Sequence, residues 1–290
     1  MSKTKVSVVI PIYNVRPYLR QCIESVLAQT LQELKLFWWM MVRRIEPDSL
    51  QISMRVHTRM WFGLCTRKIG GHGSGVNAGL MLANGIYFKV VDSDDWLDEA
   101  AFHKLMSVLR FWCRTKEEKR PDLVVCNYVY DHLEEGKTKA VRYGNLFPEQ
   151  KICRWDEIGC FSPEQYLVMH ALIFRTGVLY DCGLKLPEHT FYVDNLFANC
   201  PLPFVQRIYY LNEDLYHYYL GREDQSDQRK SARVAHRSAD SRDAARQPVR
   251  RVGRGAEHGT EAAPLSLPQQ LDYDGDFHDP SADARKRRAA

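Results

Sequence analysis

Short apolar segments of strand length alternate with amphipathic helical segments along the first half of the chain, and this alternation constrains the fold more than any other sequence feature. Residues 6–10, 86–91 and 123–130 are apolar runs of the kind that forms buried strands. Apolar residues recur at helical spacing over residues 19–27, and a second helical pattern covers residues 99–112. Strands that alternate with helices predict an α/β domain of the Rossmann type, with a mostly parallel sheet flanked by helices.

Further segments complete the predicted elements. Residues 70–75 are rich in glycine and predict a flexible loop, and residues 76–82 predict a helix directly after it. Residues 163–176 predict another helix. Near the end of this part of the chain, residues 204–210 and 215–220 are rich in aromatic side chains and predict two strands.

Composition and charge exclude several classes of protein. With 45% hydrophobic and 26% charged residues, the chain is neither collagen-like nor wholly disordered. A net charge of +4 is too small to indicate a nucleic acid partner, and none is expected. The apolar stretch at residues 36–42 is far shorter than the roughly 20 residues of a membrane-spanning helix, and the N-terminus has no signal-peptide pattern. The cysteines form no C-x-x-C pair, which is typical of reduced thiols in a cytoplasmic protein.

The composition changes after residue 226. Residues 227–290 are rich in Arg, Ala, Asp and Gln, and their aromatic residues are Tyr273 and Phe277. Such a segment cannot bury enough apolar surface to form a core, so we expect a disordered C-terminal tail. The sequence therefore predicts one folded domain over residues 1–226 and a tail over residues 227–290.

The clearest cluster of reactive groups follows the strand predicted at residues 86–91. Asp92, Asp94 and Asp95 lie there within four consecutive positions. Open α/β sheets bind ligands at the carboxyl ends of their strands. Asp92 and Asp94 flank a single residue, so both can face a hard divalent cation, Mg²⁺ or Mn²⁺, that neutralises a diphosphate. The alternative is a purely structural helix N-cap cluster over residues 95–98.

Several motifs, in order and in spacing, resemble those of family 2 glycosyltransferases of the GT-A fold. They are VVIPIYN at residues 8–14, YL at 18–19, SVLAQT at 25–30, the glycine-rich stretch at 70–79 and VDSDDW at 91–96. The resemblance implies that Asp92 and Asp94 form the metal-binding D-x-D motif. It also implies a nucleoside-diphosphate sugar donor, usually a uridine one, with donor-binding positions at Pro11, Tyr13, Asn14, Asp92, Ser93 and Asp94.

The resemblance suggests further residues for the donor and for the acceptor. Asp194, in FYVDNLF at residues 191–197, is the predicted base that takes the proton from an acceptor hydroxyl, although an aspartate before an apolar run is also a common helix cap. Arg222 is predicted to contact the donor diphosphate, with a solvated surface arginine as the alternative. His170 and Arg175 are weaker predictions for acceptor binding, and a structural role competes for His170.

Two other parts of the pattern have open roles. Residues 216–226 resemble the segment that closes over the donor in these enzymes. In the glycine-rich stretch, His72 and Asn77 either approach the sugar or ribose of the donor or shape the loop. The residues alone do not decide between these two roles.

One segment departs from the family pattern. The family has a second strand that ends in Val-Asp-Asp-Gly-Ser, whereas Trp38, Trp39, Met40 and Met41 stand here. Trp and Met each have a single codon, so these residues are encoded by TGG TGG ATG ATG, and a shift of two bases reads Val-Asp-Asp-Gly. We therefore infer that residues 36–69, together with the tail, are out-of-frame translation of a glycosyltransferase gene. A genuine lineage-specific insertion is the alternative.

The sequence as a whole predicts a cytoplasmic enzyme with a donor half over residues 1–96 and an acceptor half over residues 97–226. The expected reaction is a metal-dependent, inverting transfer of a sugar from a nucleotide sugar to a hydroxyl of a saccharide or lipid-linked acceptor. Synthesis of cell-wall polysaccharide or glycolipid is the expected context, with peripheral contact at the inner face of the plasma membrane. The alternatives are an inactive, frameshifted remnant and a nucleotidyltransferase of related fold.

Overall fold

The computed structural model describes residues 6–12, 16–27, 34–40, 63–64, 70–132, 136–163 and 165–220. Three predicted site residues, Tyr13, Asn14 and Arg222, lie outside these residues, as does the predicted tail. Of the segment inferred to be out of frame, residues 36–40 and 63–64 are described.

The described chain folds into an α/β domain with one ten-stranded sheet. The strands are Val6–Ile12 (β1), Leu34–Met40 (β2), Gly63–Leu64 (β3), Tyr87–Val90 (β4), Trp96–Leu97 (β5), Leu123–His132 (β6), Lys137–Val141 (β7), Ile152–Cys153 (β8), Leu172–Arg175 (β9) and Ile208–Tyr219 (β10). The helices are Arg16–Leu27 (α1), His72–Leu82 (α2), Glu99–Arg114 (α3), Thr176–Asp181 (α4) and Val193–Asn199 (α5). No helix in this described part of the chain is long and apolar enough to cross a membrane.

The sheet has the order β3-β2-β1-β4-β9-β6-β10-β5, with β7 beside β6 and β8 beside β10. The pairs among β1, β2, β3 and β4 are parallel, and β6 is parallel to β10. β9 lies antiparallel between β4 and β6, and β5, β7 and β8 are also antiparallel to their neighbours. The predicted α/β fold is confirmed. Its parallel pairing is confined to two blocks, so the sheet as a whole is mixed.

β1, β4 and α3 follow their sequence patterns closely. β1 is buried along its whole length, because it lies between β2 and β4 inside the sheet. α2 packs against β1 so closely that a Cβ at Gly79 would lie 2.4 Å from Val9 Cγ1. On α3, the apolar face predicted from the spacing is buried, as are its neighbours Ala101 and Phe102. The periodicity of apolar residues in the sequence was therefore enough to predict these elements.

Two predicted elements are wrong, and a third differs in extent. Residues 72–75 form the first turn of α2 rather than a flexible loop, because Gly71, with a φ of 82°, makes the turn and Gly73 allows close packing on Pro187. The helix predicted at residues 163–176 is absent. There, a short 3-10 turn at Met169–Ala171 leads into β9, whose apolar residues are buried between β4 and β6. The two strands predicted near residues 204–220 form the single long strand β10.

The topology brings four chain segments to one edge of the sheet. β1, β4, β6 and β10 run in the same direction, so their carboxyl ends share that edge. β9 runs the other way, so its amino end, preceded by His170, lies there too. The aspartates at residues 92–95 follow β4 at this edge. The fold therefore collects acidic, imidazole and phenol groups from parts of the chain that are distant in sequence.

Candidate functional site

Asp92 lies at the centre of this edge and is held by three other segments. Its Oδ1 is 2.7 Å from His72 Nε2, at the start of α2, and its Oδ2 is 3.4 Å from His170 Nε2. Its backbone N–H donates to the hydroxyl of Tyr216 on β10 at 3.0 Å. The carboxylate is therefore fixed in orientation between two imidazoles.

The charges around Asp92 favour its ionised form. Burial alone raises the pKa of Asp92, but the neighbouring His72 and His170 outweigh it and hold the pKa of this carboxyl below its ordinary value. Burial lowers the pKa of His72, but the charge and hydrogen bond of Asp92, with the charges of Asp194 and Asp94, raise it above the usual value. At neutral pH the site therefore has an ionised Asp92 beside a His72 that binds a proton more readily than a free histidine.

Asp95 is buried beneath the site and differs from Asp92. Its Oδ2 accepts a hydrogen bond from the Tyr216 hydroxyl at 2.6 Å, and its Oδ1 accepts from the backbone N–H of Tyr219 at 2.9 Å. Burial and the charges of Asp94 and Asp92 raise the pKa of Asp95 well above its ordinary value. Asp95 thus connects the loop after β4 to β10.

The alternative interpretation of the acidic residues, a helix N-cap, applies to Asp98. The Asp98 carboxylate accepts a hydrogen bond from the Ala101 N–H at 2.8 Å and caps α3. Asp95 has a different role, since its two carboxylate oxygens face β10. The acidic run therefore divides into a site part and a capping part.

The geometry offers donors for a divalent cation. Among the described residues, ligand atoms of Asp92, Asp95 and His170 lie within 4.8 Å of one another. Carboxylate oxygens with an imidazole nitrogen are a suitable donor set for a divalent cation. Asp94, the other residue of the predicted D-x-D pair, is half-buried, and its negative charge acts on His72. Ser93 between them is buried.

Aromatic rings of β10 form one wall around His170. The ring of Tyr218 stacks on the His170 imidazole with centroids 4.7 Å apart, and the ring of Tyr216 lies at the same distance but is tilted. Residues 216–219, predicted as part of a segment that closes over the donor, are therefore strand residues of the sheet. His170, predicted on a helix facing the acceptor, instead packs beneath Asp92 with 7% of its surface exposed.

Lys89 is a buried cation that the sequence analysis missed. It lies on β4 with 1% of its surface exposed, donates to the His170 carbonyl at 2.6 Å and sits 4.9 Å from the centroid of the Tyr216 ring. Burial lowers the pKa of Lys89 to about 7, although Cys126, Asp92 and Asp95 favour its charged form. Its signal in the sequence was a single lysine inside an otherwise apolar strand.

Replacing Lys89 with methionine is expected to flatten the pH dependence of stability. Above pH of about 7 the folded protein holds Lys89 neutral, whereas a lysine in the unfolded chain stays protonated up to its ordinary pKa of 10.5. The unfolded state then binds more protons, so the wild-type free energy of unfolding rises with pH in this window, by up to about 1.4 kcal/mol per unit. Urea unfolding of Lys89→Met across this window should lack that rise.

The exposed Lys104 provides the matched control for this experiment, because its side chain is 59% exposed on α3. Lys104→Met should keep the pH dependence of the wild-type protein. Parallel curves for the wild type and Lys89→Met would contradict a neutral Lys89 in the folded state.

Asp194 lies near the same imidazole. It is in the first turn of α5 and is half-buried, and its charge raises the pKa of His72 and of Tyr218. α5 adjoins the start of α2, since a Cβ at Gly73 would lie 3.5 Å from Val193 Cγ1. The structure therefore brings Asp194 to the electrostatic neighbourhood of Asp92.

Other predicted residues have structural positions. Arg175 pairs with Asp122 at 2.9 Å and lies opposite Tyr87, the first residue of β4, so it is at the far edge of the sheet from Asp92 and does not join the site. Pro11 is buried within β1. The Asn77 side chain bonds both the N–H and the carbonyl of Leu186, which is a loop-shaping role.

Comparisons with known protein sequences find similarity to glycosyltransferases. Residues 7–37 match the family model "Glycosyl transferase family 2". The chain is 27% identical over 223 residues to "Uncharacterized glycosyltransferase EpsJ" of Bacillus subtilis, covering 73% of this chain and 60% of that protein. It is 25% identical to "Glycosyltransferase GlyA" of Streptococcus pneumoniae, covering 74% of this chain and 30% of that one. It is 30% identical over 151 residues to "Minor teichoic acid biosynthesis protein GgaB" of Bacillus subtilis, covering 50% of this chain and 16% of that protein. The chain thus spans at most about three fifths of these relatives.

Solved structures show the same fold. TarS 1–349 of S. aureus superposes with a TM-score of 0.57 at 19% identity, covering 74% of this chain and 60% of that one. Its complex with UDP-GlcNAc superposes with a TM-score of 0.54 at 17% identity, covering 79% of this chain and 64% of that one. A third structure is the mannosyltransferase PcManGT of Pyrobaculum calidifontis in complex with GDP-Man and Mn²⁺. It superposes with a TM-score of 0.55 at 13% identity, covering 86% of this chain and 66% of that one. The motifs, the match over residues 7–37 and the curated relatives thus make the chain similar to glycosyltransferases of family 2, and the solved structures share its fold.

Proposed function

We propose that this protein transfers a sugar from a nucleoside-diphosphate sugar to a hydroxyl of a saccharide or lipid-linked acceptor. The observation that carries the proposal is Asp92 at the carboxyl end of β4, held between His72 and His170, with Asp194 in the first turn of α5, the helix that adjoins the start of α2. Asp92 can then hold a metal ion that neutralises the donor diphosphate, while Asp194 accepts the proton of the acceptor hydroxyl. The fold neighbours TarS and PcManGT, which bind UDP-GlcNAc and GDP-Man, support a nucleotide-sugar donor.

Asp92 and Asp94 are the residues proposed to hold Mg²⁺ or Mn²⁺, with His170 in reach as a further ligand. The donor set fits such an ion, since it is oxygen-rich. When bound, the ion neutralises charge on the leaving diphosphate. The protein's own part is to orient Asp92 through His72 and the Tyr216 hydroxyl, both of which contact it directly. Ser93, Pro11, Tyr13, Asn14 and Arg222 remain proposals for donor binding.

Asp194 is proposed as the base. A carboxylate there can accept the proton of the acceptor hydroxyl while its oxygen attacks the anomeric carbon from the side opposite the diphosphate, which would invert the configuration. The half-buried position of Asp194 keeps it open to a hydroxyl from solvent. Arg175, in contrast, is not proposed for the acceptor, because it is engaged with Asp122 at the far edge of the sheet.

A second candidate, an inactive remnant, is favoured by one observation. The family match ends at residue 37. The next residues, Trp38 to Met41, are the ones whose codons read Val-Asp-Asp-Gly in the shifted frame. We propose that residues 36–69 and 227–290 are out of frame, and that the chain as printed lacks the aspartates of the nucleotide side. Sequencing the coding DNA across codons 30–75 and from codon 220 to the stop tests this. An unchanged DNA sequence would favour the remnant.

The cellular role is proposed from the relatives. One is named for minor teichoic acid biosynthesis, so a cell-wall polysaccharide, teichoic-acid-like polymer or glycolipid is the proposed product. We propose that a lipid-linked acceptor brings this protein, as a cytoplasmic enzyme, to the inner face of the plasma membrane.

The proposed activity predicts that the frame-restored protein, in which residues 36–69 and 227–290 follow the shifted frame, releases UDP from UDP-sugars with Mn²⁺. EDTA should abolish release. Asp94→Ala should lower turnover by roughly a hundredfold or more, because a metal ligand is lost. A coupled assay for UDP measures both. The printed chain, assayed in parallel, should be much less active.

Asp98→Ala is the control for Asp94→Ala. It removes a neighbouring carboxylate that caps α3, at a cost of about 1 kcal/mol in stability, and should leave turnover near that of the parent. Undiminished turnover in Asp94→Ala would overturn the metal assignment. Absence of UDP release from every UDP-sugar, together with absence of GDP release from GDP-mannose, would overturn the donor class.

A further inference from the structure

The loop at residues 187–192, which joins α4 to α5, concentrates unusual backbone geometry. Three non-glycine residues of the described chain have positive φ, and two of them, His189 at 52° and Tyr192 at 60°, lie in this loop. The left-handed region is sterically costly for a bulky side chain such as tyrosine. Backbone strain of this kind clusters at ligand-binding and catalytic sites, where the surrounding structure enforces it.

The loop is fixed to the helix that carries His72. The His189 N–H donates to the Gly70 carbonyl at 2.8 Å, and the Asn77 side chain bonds both backbone groups of Leu186. Pro187 packs so closely on α2 that a Cβ at Gly73 would lie 2.5 Å from the Pro187 carbonyl oxygen. The position of the loop is therefore set by the same helix that orients Asp92 through His72.

Two aromatic rings of this loop are exposed rather than buried. Phe191 is 45% exposed and Tyr192 is 55% exposed, whereas the next residue, Val193, is buried. Tyr192 is also the N-cap residue of α5, but it makes no side-chain capping hydrogen bond. Neither core packing nor capping therefore accounts for an aromatic residue at this position.

We propose that Phe191 and Tyr192 form a stacking platform for a sugar ring of the acceptor. This inference rests on the proposed function, because it uses Asp194 as the base. A pyranose has an apolar C–H face that packs on an aromatic ring and a hydroxyl rim that needs polar partners. Tyr192 precedes Asp194 by two residues at the start of α5, so the platform adjoins the proposed base in the chain.

The chemistry favours a saccharide over other occupants. Adjacent exposed aromatic side chains beside polar residues are typical of a ligand-binding surface. The neighbours of the two rings in the chain, His189, Thr190 and Asp194, supply hydrogen-bonding groups of the kind that hydroxyls require. A purely apolar partner offers these groups no hydrogen bonds, whereas a sugar can contact the rings and bond the polar groups as well.

Saturation-transfer NMR with the full-length protein tests the platform directly. The probes are the methyl β-glycosides of glucose, galactose, N-acetylglucosamine and N-acetylgalactosamine, each measured alone. At least one glycoside should receive saturation on its ring C–H protons. Tyr192→Asn combined with Phe191→Ser should weaken its apparent affinity by about tenfold, which is the change expected for the loss of ring stacking. Asparagine is chosen because it tolerates the left-handed conformation.

Two further variants separate stacking from folding. Tyr192→Phe keeps the ring and should bind like the wild type. Phe111→Ser removes a ring that is 63% exposed near the end of α3, away from the site, and should change nothing. Thermal melts of all variants establish that each is folded.

The outcomes distinguish this inference from the proposed function. Saturation of no glycoside by the wild type, or equal saturation by the Tyr192→Asn/Phe191→Ser variant, would overturn the platform. UDP binding, measured by calorimetry on the frame-restored protein, reports on the donor site alone. Its absence, with glycoside binding intact, would overturn the donor proposal and leave the platform standing.

Discussion

Replacing Asp194 with asparagine in the frame-restored protein is expected to lower kcat by a factor of about 10² to 10⁴, the range attributed to a positioned general base. Asparagine has nearly the same shape as aspartate but cannot accept the proton of the acceptor hydroxyl. The position of Asp194 in the first turn of α5, beside His72, lets the charge be removed without emptying the core. UDP release with acceptor present measures the effect.

Donor binding should separate this effect from a general loss of structure. Calorimetric titration with UDP and Mn²⁺ should give similar affinities for Asp194→Asn and its parent, because the proposed metal ligands Asp92 and Asp94 lie on the loop after β4 and Asp194 is not among the proposed donor-binding residues. Asp181→Asn, which changes an exposed carboxylate at the end of α4, is the matched control and should keep full turnover. A turnover in Asp194→Asn equal to that of this control would remove Asp194 from the mechanism.

Replacing Asp122 with alanine is expected to lower the free energy of unfolding by about 3 kcal/mol. The Asp122 carboxylate is 2% exposed, and Arg175 and Arg207 both pair with its Oδ1. Its Oδ2 accepts the backbone N–H groups of Gln206 and Arg207. Removing it leaves two guanidinium groups and two amides without this partner, and the partial exposure of the arginines places the loss at the low end for a buried ion pair.

Urea unfolding at neutral pH measures this loss of stability. Glu118→Ala removes an exposed carboxylate from the same part of the chain and should change the free energy of unfolding by less than about 0.5 kcal/mol. If both variants unfolded at the same urea concentration, the Asp122 cluster would not contribute to stability. This result would also weaken the view that Arg175 has a purely structural role.

The site shows where sequence reasoning was sufficient and where it was not. Asp92 could be placed because its strand and its position at the strand's end are local features. Its partners could not be placed in the same way. His72 was assigned to a flexible loop and His170 to a helix, whereas they lie in α2 and in a 3-10 turn. Tyr216 was correctly placed in a strand, but its contact with Asp92 could not be predicted. Their convergence depends on the order of strands in the sheet.

Lys89 illustrates the same limit for a single residue. A lysine in an apolar strand is visible in the sequence, but its burial depends on the place of β4 inside the sheet and on contacts with the His170 carbonyl and the Tyr216 ring from distant segments. Only that position explains why its pKa falls to about 7, with burial as the cause. The sequence therefore contained the residue but not the environment that gives it unusual properties.

The sequence by itself determined the α/β class, the elements β1, α1, β4 and α3, and the acidic loop after β4. These depend on apolar periodicity and chain order, which neighbouring residues carry. The tertiary structure decided that residues 172–175 form β9 rather than a helix, because this segment satisfies its backbone hydrogen bonds between β4 and β6. It also decided which groups surround Asp92, because contacts between residues far apart in the chain form only when the sheet assembles.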